Sequence, residues 1–226
     1  MILNVITSCI RLRNLPRILE SIKISNTPKI EIRWYIVLDN NNLKLPPEQI
    51  EKIRESLPNS PEISINLRIF QDSYTVSWPT NLALDEIQDG LVCVIDDDNI
   101  MHPDYLNTIY QIAKDKPEIG ILYAQMMDRN PPTHNARIRK IVPYLVAPSY
   151  VDTAQITVSR SLIGTCRWAP VSPDNIMYSV LIRKDQNPQG QPFQPDGKFI
   201  AQVYEKHFKH FVILDQPLCY YNYLSQ

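Results

Sequence analysis

Short apolar runs and amphipathic stretches alternate through the first half of the chain. Residues 2–8 alternate weakly and predict a first strand, and Leu15, Ile18, Leu19 and Ile22 then make one helical stripe. Asn14 caps that helix and Pro16 suits its first turn. Residues 32–38 predict a buried strand that ends in Asp39-Asn40-Asn41-Asn42, and residues 46–57 a helix with Ile50, Ile53 and Leu57 on its apolar face. A third strand is expected over residues 65–70, and a helix over residues 79–89 closed by Gly90. Residues 91–95 are wholly apolar, the pattern of a central strand covered on both faces. Leu106, Ile109, Tyr110 and Ala113 line the next helix, which stops before Pro117, and residues 119–125 predict another strand.

Strands alternating with helices at this spacing predict an α/β fold with a mostly parallel central sheet and right-handed crossovers. From residue 128 the texture changes. Residues 128–135 form a proline-containing polar loop, and strand-like runs follow at 138–146 and 151–159. Residues 183–197 are rich in Gln, Pro and Asn, the composition of an exposed loop placed to close over a ligand. A last helix is expected over residues 198–210, with Ile200, Val203, Tyr204 and His207 on one face, before residues 211–214 and the Tyr-rich end 218–224. We read residues 1–127 as one α/β region and residues 128–226 as a smaller mixed region built onto it, in one compact domain.

Composition narrows the class. The chain has 226 residues, 44% of them hydrophobic, which is ordinary for a globular protein with a sizeable core. A formal charge of -1 gives no basic field for a nucleic-acid backbone, so no nucleic acid is expected as partner. Cys9, Cys93, Cys166 and Cys219 show no metal or redox spacing and read as buried thiols of a reducing, cytoplasmic compartment. No run approaches the ~20 apolar residues of a membrane span.

The chemistry concentrates where residues 91–95 meet the following helix. Asp96, Asp97 and Asp98 sit at the carboxyl end of a predicted central strand, where open α/β sheets bind ligands, and they need a counter-charge. Oxygen ligands without a Cys or His cluster favour Mg2+ or Mn2+, completed by phosphate oxygens and water. The bland alternative is a solvated acidic turn, with His102-Pro103-Asp104 opening a helix. Only five glycines are present and neither a G-x-G-x-x-G run nor a P-loop, so a diphosphate must be gripped by charge: the metal, and a forked contact from Arg11 or Arg13. A solvated helix start is the ordinary role of such arginines.

Asp96-Asp97-Asp98-Asn99, with its apolar strand before and His102-Pro103-Asp104-Tyr105-Leu106 after, resembles the D-x-D segment of GT-A-fold nucleotide-sugar glycosyltransferases, especially the inverting family 2 type. The resemblance extends to residues 5–22, to Leu38-Asp39 and to Asn81, covers the second half only loosely, and implies that residues 1–127 bind the nucleotide sugar and residues 128–226 form the acceptor-binding, catalytic region. It implies that Asp98 meets the metal and Asp96 the ribose or a metal-bound water, with Asp97 among the nucleotide-sugar contacts. It implies that Asp39 meets the uracil or ribose, and that Thr7 and Ser8 belong to the loop beneath the nucleotide. Asp196, in Pro195-Asp196-Gly197, stands about where such enzymes carry the base that takes the acceptor hydroxyl's proton, and Asp152 is the second candidate. An N-cap role explains Asp196 equally well. His207 and His210 enter as candidate late metal ligands, and Trp78, Trp168, Tyr220, Tyr221 and Tyr223 as candidate base, sugar or acceptor contacts.

The function so implied is transfer of a sugar from a nucleoside-diphosphate donor, UDP-linked by first choice, to a carbohydrate or other hydroxyl acceptor. A metal-dependent nucleotidyltransferase is the nearest rival, although residues 5–14 lack the glycine its phosphate loop needs. A catalytically silent nucleotide-sugar-binding module is the other.

Overall fold

The protein is described here from a computed structural model covering residues 1–26, 29–57, 62–71, 79–127, 137–143, 146, 151–168, 195–221 and 223–224. The elements follow as β1 (Ile2–Cys9), α1 (Leu15–Ser25), β2 (Glu31–Asp39), a short α2 (Asn40–Leu43), α3 (Pro47–Ser56), β3 (Ile63–Phe70), α4 (Pro79–Glu86), β4 (Leu91–Val94), β5 (Ile100–Met101) and α5 (Tyr105–Ala113). Then come β6 (Gly120–Met127), β7 (Arg137–Arg139), β8 (Ile156–Ser159), α6 (Arg160–Ile163), α7 (Pro195–His207) and β9 (Phe211–Tyr220).

One nine-stranded sheet runs in the order β3-β2-β1-β4-β8-β6-β9-β5, with β7 paired to β6. Strands β1 to β4 are parallel, as the β-α repeat predicts. β8 then inserts antiparallel between β4 and β6, so β6 and β9 again point the way β4 does. The sheet is therefore parallel where the helical crossovers dictate it and mixed where the second half joins. Alternation along each strand splits the core into two layers. Leu91, Cys93 and Ile95 pack with α1 and α5, whereas Val92 and Val94 pack with α4, α6 and α7.

Four expectations for the second half shift. Among the described residues of the range 138–146, strand is confined to the pairing of Arg137–Arg139 with β6, while Ile141 and Val146 are buried as non-strand chain against the α7 layer. Residues 151–159 open as a 3-10 turn, Thr153–Gln155, before β8 begins. The last helix starts at Pro195, and β9 runs unbroken past residue 214 by bulging at Pro217, where the missing N–H coincides with a register shift against Ala124. The predicted loop at 128–135, Trp78 and residues 183–194 lie outside the described residues. Among the described residues no helix is long and apolar enough to cross a membrane, and all four cysteines are free and buried.

Candidate functional site

The parallel strands bring their carboxyl ends to one edge of the sheet, and antiparallel β8 brings its beginning there too. Cys9, Asp39, residues 95–98 and Asp152 thus converge from distant parts of the chain. Ile95 extends β4 by donating its N–H to the Ile6 carbonyl (2.9 Å), and the Asn99 N–H closes a turn on the Asp96 carbonyl (3.0 Å). The three carboxylates of this turn differ in burial and in partners.

Asp97 points inward and is 3% exposed. Its Oδ2 accepts the backbone N–H groups of Ile10 (2.6 Å) and Arg11 (2.7 Å), and its Oδ1 accepts the Arg11 guanidinium. It fastens the loop after β1 to the turn after β4, and its expected place among the nucleotide-sugar contacts is corrected accordingly. Asn14 completes the fastening: its Nδ2 donates to the Asp97 carbonyl (2.7 Å) and the Leu224 carbonyl (3.1 Å), while the Leu224 N–H donates to the Asp98 carbonyl (2.8 Å). Asn14 was expected only as a helix cap, a bond it does not make.

Asp98 lies nearer the surface, its side chain 14% exposed and its Oδ2 3.2 Å from Arg11 Nη1. Burial pushes its carboxyl up, Arg11 pulls it down, and Asp97 and Asp152 add to the rise. Asp96 accepts from Asn99 Nδ2 (3.3 Å). The turn accounts for the division: Asp97 and Asp98 are its two central residues, and Asp97 is drawn onto the N–H groups of the loop after β1.

Asp152 is buried on the same edge, held by a capping box: its Oδ1 accepts the Ala154 N–H (3.0 Å) and its own N–H donates to Gln155 Oε1 (3.1 Å). Gln155 in turn donates to the carbonyls of Tyr123 and Arg139 (3.2 Å each), tying β6 and β7 to this turn. Burial raises the Asp152 carboxyl, opposed by the Ala154 N–H and Arg139. Tyr221, at the end of β9, is raised by burial and then by Asp152 and Asp98, so its phenol remains a hydrogen-bond donor. Arg139 and Tyr221 complete the surround of Asp152, and sequence patterning gave Arg139 no signal.

Asp39 ends β2 at this edge and accepts from the Asn42 side chain (2.5 Å) and backbone (3.4 Å), capping α2. Ser8 shares a 3.1 Å hydroxyl contact with Thr80, and Arg13 is exposed in the turn Leu12–Asn14. Asp196 is the second residue of α7, with its side chain outside the described residues.

Other expected site residues serve the core. Thr7 is fully buried and accepts the Trp34 indole N–H (2.9 Å), which removes it from a loop beneath a ligand. Asn81 pins the Trp168 backbone through both its amide groups (2.8 and 3.0 Å), and Trp168 stacks on Phe199 at 3.6 Å, buried and closed to a base or sugar. Tyr220 stacks on His102 at 5.5 Å and packs against Tyr223. His207 and His210 are corrected most plainly. They precede β9, whose first residue Phe211 pairs with Gly120 at the amino end of β6, so they sit at the sheet edge opposite Asp98. No cation on Asp98 reaches them.

Among the described residues no three His, Cys, Asp or Glu side chains group to hold a metal ion. The oxygen donors at the edge still fit Mg2+ or Mn2+, which are commonly held by one or two carboxylates with substrate phosphates and water supplying the rest.

No protein-family model and no curated protein matches the sequence. Solved structures do match. TarS from S. aureus, residues 1–349 in complex with UDP, superposes with a TM-score of 0.61 at 15% identity over 97% of this chain and 60% of that one. It has the GT-A fold. The mannosyltransferase PcManGT from Pyrobaculum calidifontis, in complex with GDP-Man and Mn2+, superposes with a TM-score of 0.54 at 14% identity, over 96% of this chain and 56% of that one. The chain thus spans about 60% of the length of the TarS fragment. TarS 1–349 is also solved in complex with UDP-GlcNAc, at a TM-score of 0.59 and 14% identity over 97% of this chain and 58% of that one.

Proposed function

We propose that this chain transfers a sugar from a nucleoside-diphosphate donor, UDP-linked by first choice, to a hydroxyl acceptor with the help of Mg2+ or Mn2+. The observation that carries the reading is the pair Asp96 and Asp98, half-buried at the carboxyl edge of a GT-A sheet while Asp97 is held inside. Nucleotide and metal complexes of TarS and PcManGT support it by likeness of fold.

In this reading Asp98 holds the cation, and Asp96 meets the ribose or a metal-bound water. The cation, when bound, neutralises the diphosphate and stabilises it as a leaving group. Asp39 accepts hydrogen bonds from the base or ribose once the ligand competes with Asn42 for its carboxylate. The acceptor oxygen bonds to the anomeric carbon as the bond to the diphosphate breaks, and its proton passes to a carboxylate. Asp196 is the candidate for that base, and Asp152 the second.

Calorimetry with UDP tests the binding half: affinity should require Mn2+ and be lost in EDTA, and Asp98→Ala should abolish the metal dependence. Equal binding in EDTA and Mn2+ would overturn it. For the transfer half, Asp196→Asn should keep donor affinity while lowering the rate by about 10²–10⁴-fold, the usual contribution of a general base. Full activity in that variant moves the role to Asp152.

A further inference from the structure

Arg11 touches both inner and outer carboxylates of the Asp96–Asp98 turn. Asp97 is buried and takes two backbone N–H groups from the loop that carries Arg11, so the start of that side chain is fixed by residues that face no ligand. Its Nη1 bonds Asp97 Oδ1 and reaches Asp98 Oδ2 at 3.2 Å. Both contacts fall on Nη1, and the other guanidinium nitrogens donate to no described residue, on a side chain that is 36% exposed. Asp98 is also the carboxylate to which the proposed function gives the divalent cation. A metal ion at roughly 2 Å from Oδ2 and a guanidinium nitrogen hydrogen-bonded to the same oxygen repel each other at close range.

We propose that Arg11 is a resident counter-charge that a divalent cation must displace from Asp98, and that the displaced guanidinium, still tethered through Asp97, turns its fork onto the donor's diphosphate. The proposal rests on the metal-dependent reading of this site and deepens it. Its physical content is a coupling. Without nucleotide the cation competes with a positive charge already in place; with nucleotide that charge gains a new anionic partner, so each ligand tightens the other. The guanidinium suits this exchange because it stays charged whatever it faces and has donors to spare for a phosphate.

The test measures Mn2+ alone and UDP in Mn2+ separately, by calorimetry and by the paramagnetic resonance signal of free Mn2+. Arg11→Gln should bind Mn2+ alone about fivefold more tightly, roughly the worth of a part-exposed ion pair. The same variant should bind UDP in Mn2+ about tenfold or more weakly, the loss of a charge-assisted contact. Opposite signs from one substitution are the signature. Unchanged or weaker Mn2+ binding in Arg11→Gln overturns the proposal. Arg11→Lys keeps the charge without the fork and guards against a folding defect: it should bind Mn2+ within about twofold of wild type yet lose UDP affinity, and retention of UDP affinity would overturn the second half. The two levels fail differently. If UDP binds neither protein while Arg11→Gln still gains Mn2+ affinity, the nucleotide-sugar reading falls and the displacement stands; loss of UDP affinity with no Mn2+ gain sinks the displacement alone.

Discussion

Replacing Asp97 by Asn separates a carboxylate that holds the fold from neighbours that face the ligand. The side chain is 3% exposed and takes two backbone N–H groups on one oxygen and a guanidinium on the other. An amide of the same shape has one acceptor oxygen, so its NH2 must face either the two N–H groups or the guanidinium, donor against donor. At least one charge-assisted hydrogen bond is lost, each worth about 1.5–3 kcal/mol. Water reaches part of Arg11, whose side chain is 36% exposed, which puts the expected cost near the lower end, about 2 kcal/mol. At about 2–4 °C per kcal/mol for a chain of this size, Asp97→Asn should melt about 4–8 °C below wild type. Asp98→Asn should cost little stability: burial already disfavours its charge, so it should melt within about 2 °C of wild type while losing metal-dependent UDP binding. Thermal melts by far-UV circular dichroism on both variants, with calorimetric UDP titrations, check the division. Equal melting temperatures for the two, or intact metal dependence in Asp98→Asn, would refute it.

Alanine at both His207 and His210 should leave the Mn2+ dependence of UDP binding unchanged, measured by calorimetry, because both lie at the sheet edge opposite Asp98. Gly90 sits at φ +80° with the space of a Cβ 2.8 Å from the Ile2 carbonyl oxygen, so Gly90→Ala should cost at least about 1–2 kcal/mol, read as a lower urea midpoint at unchanged slope. Asp152 has its carboxyl raised chiefly by burial, so the folded state holds that proton more tightly than the unfolded chain, and stability contributed there falls as pH rises from the ordinary carboxylate range through the raised value. Asp152→Asn, which still caps its turn, should therefore melt above wild type at neutral pH, with the advantage shrinking as pH falls towards 4; a constant difference across pH would contradict the assignment.

The β-α half was legible because its signals are local. A strand covered on both faces is apolar throughout, as in Leu91–Val94, and an amphipathic helix shows its stripe within a few turns, as in Leu15, Ile18, Leu19 and Ile22. Pairing order is not local. Nothing in residues 151–159 announces that β8 will run antiparallel between β4 and β6, because that choice is made by partners far away in the chain. Burial without a ladder misled in the other direction: Ile141 and Val146 are apolar because they cover the α7 layer, and their run looked like strand although, among its described residues, pairing stops at Arg139.

At the site, residue type pointed to the right place and not to the division of work within it. Three aspartates in a row read as three ligands, yet they fall in a turn closed by the Asn99 N–H on the Asp96 carbonyl, and a turn gives each of its residues a different set of neighbours. The inner one is then useful only if it finds donors, and the loop after β1 supplies them at Ile10 and Arg11. Burying Asp97 with those partners holds the turn from which Asp96 and Asp98 project, a placement that a mobile acidic loop would not maintain against the mutual repulsion of its charges. Asn14 extends the same logic to Leu224, more than two hundred residues on, by satisfying a carbonyl on each side. Positions such as Asn14 and Arg139 carry no motif because their work is defined by what lies across the fold. Seen alone, Asn14 is a helix cap, and only the folded chain shows its amide spent on holding the Asp96–Asp98 turn and the Leu224 segment together.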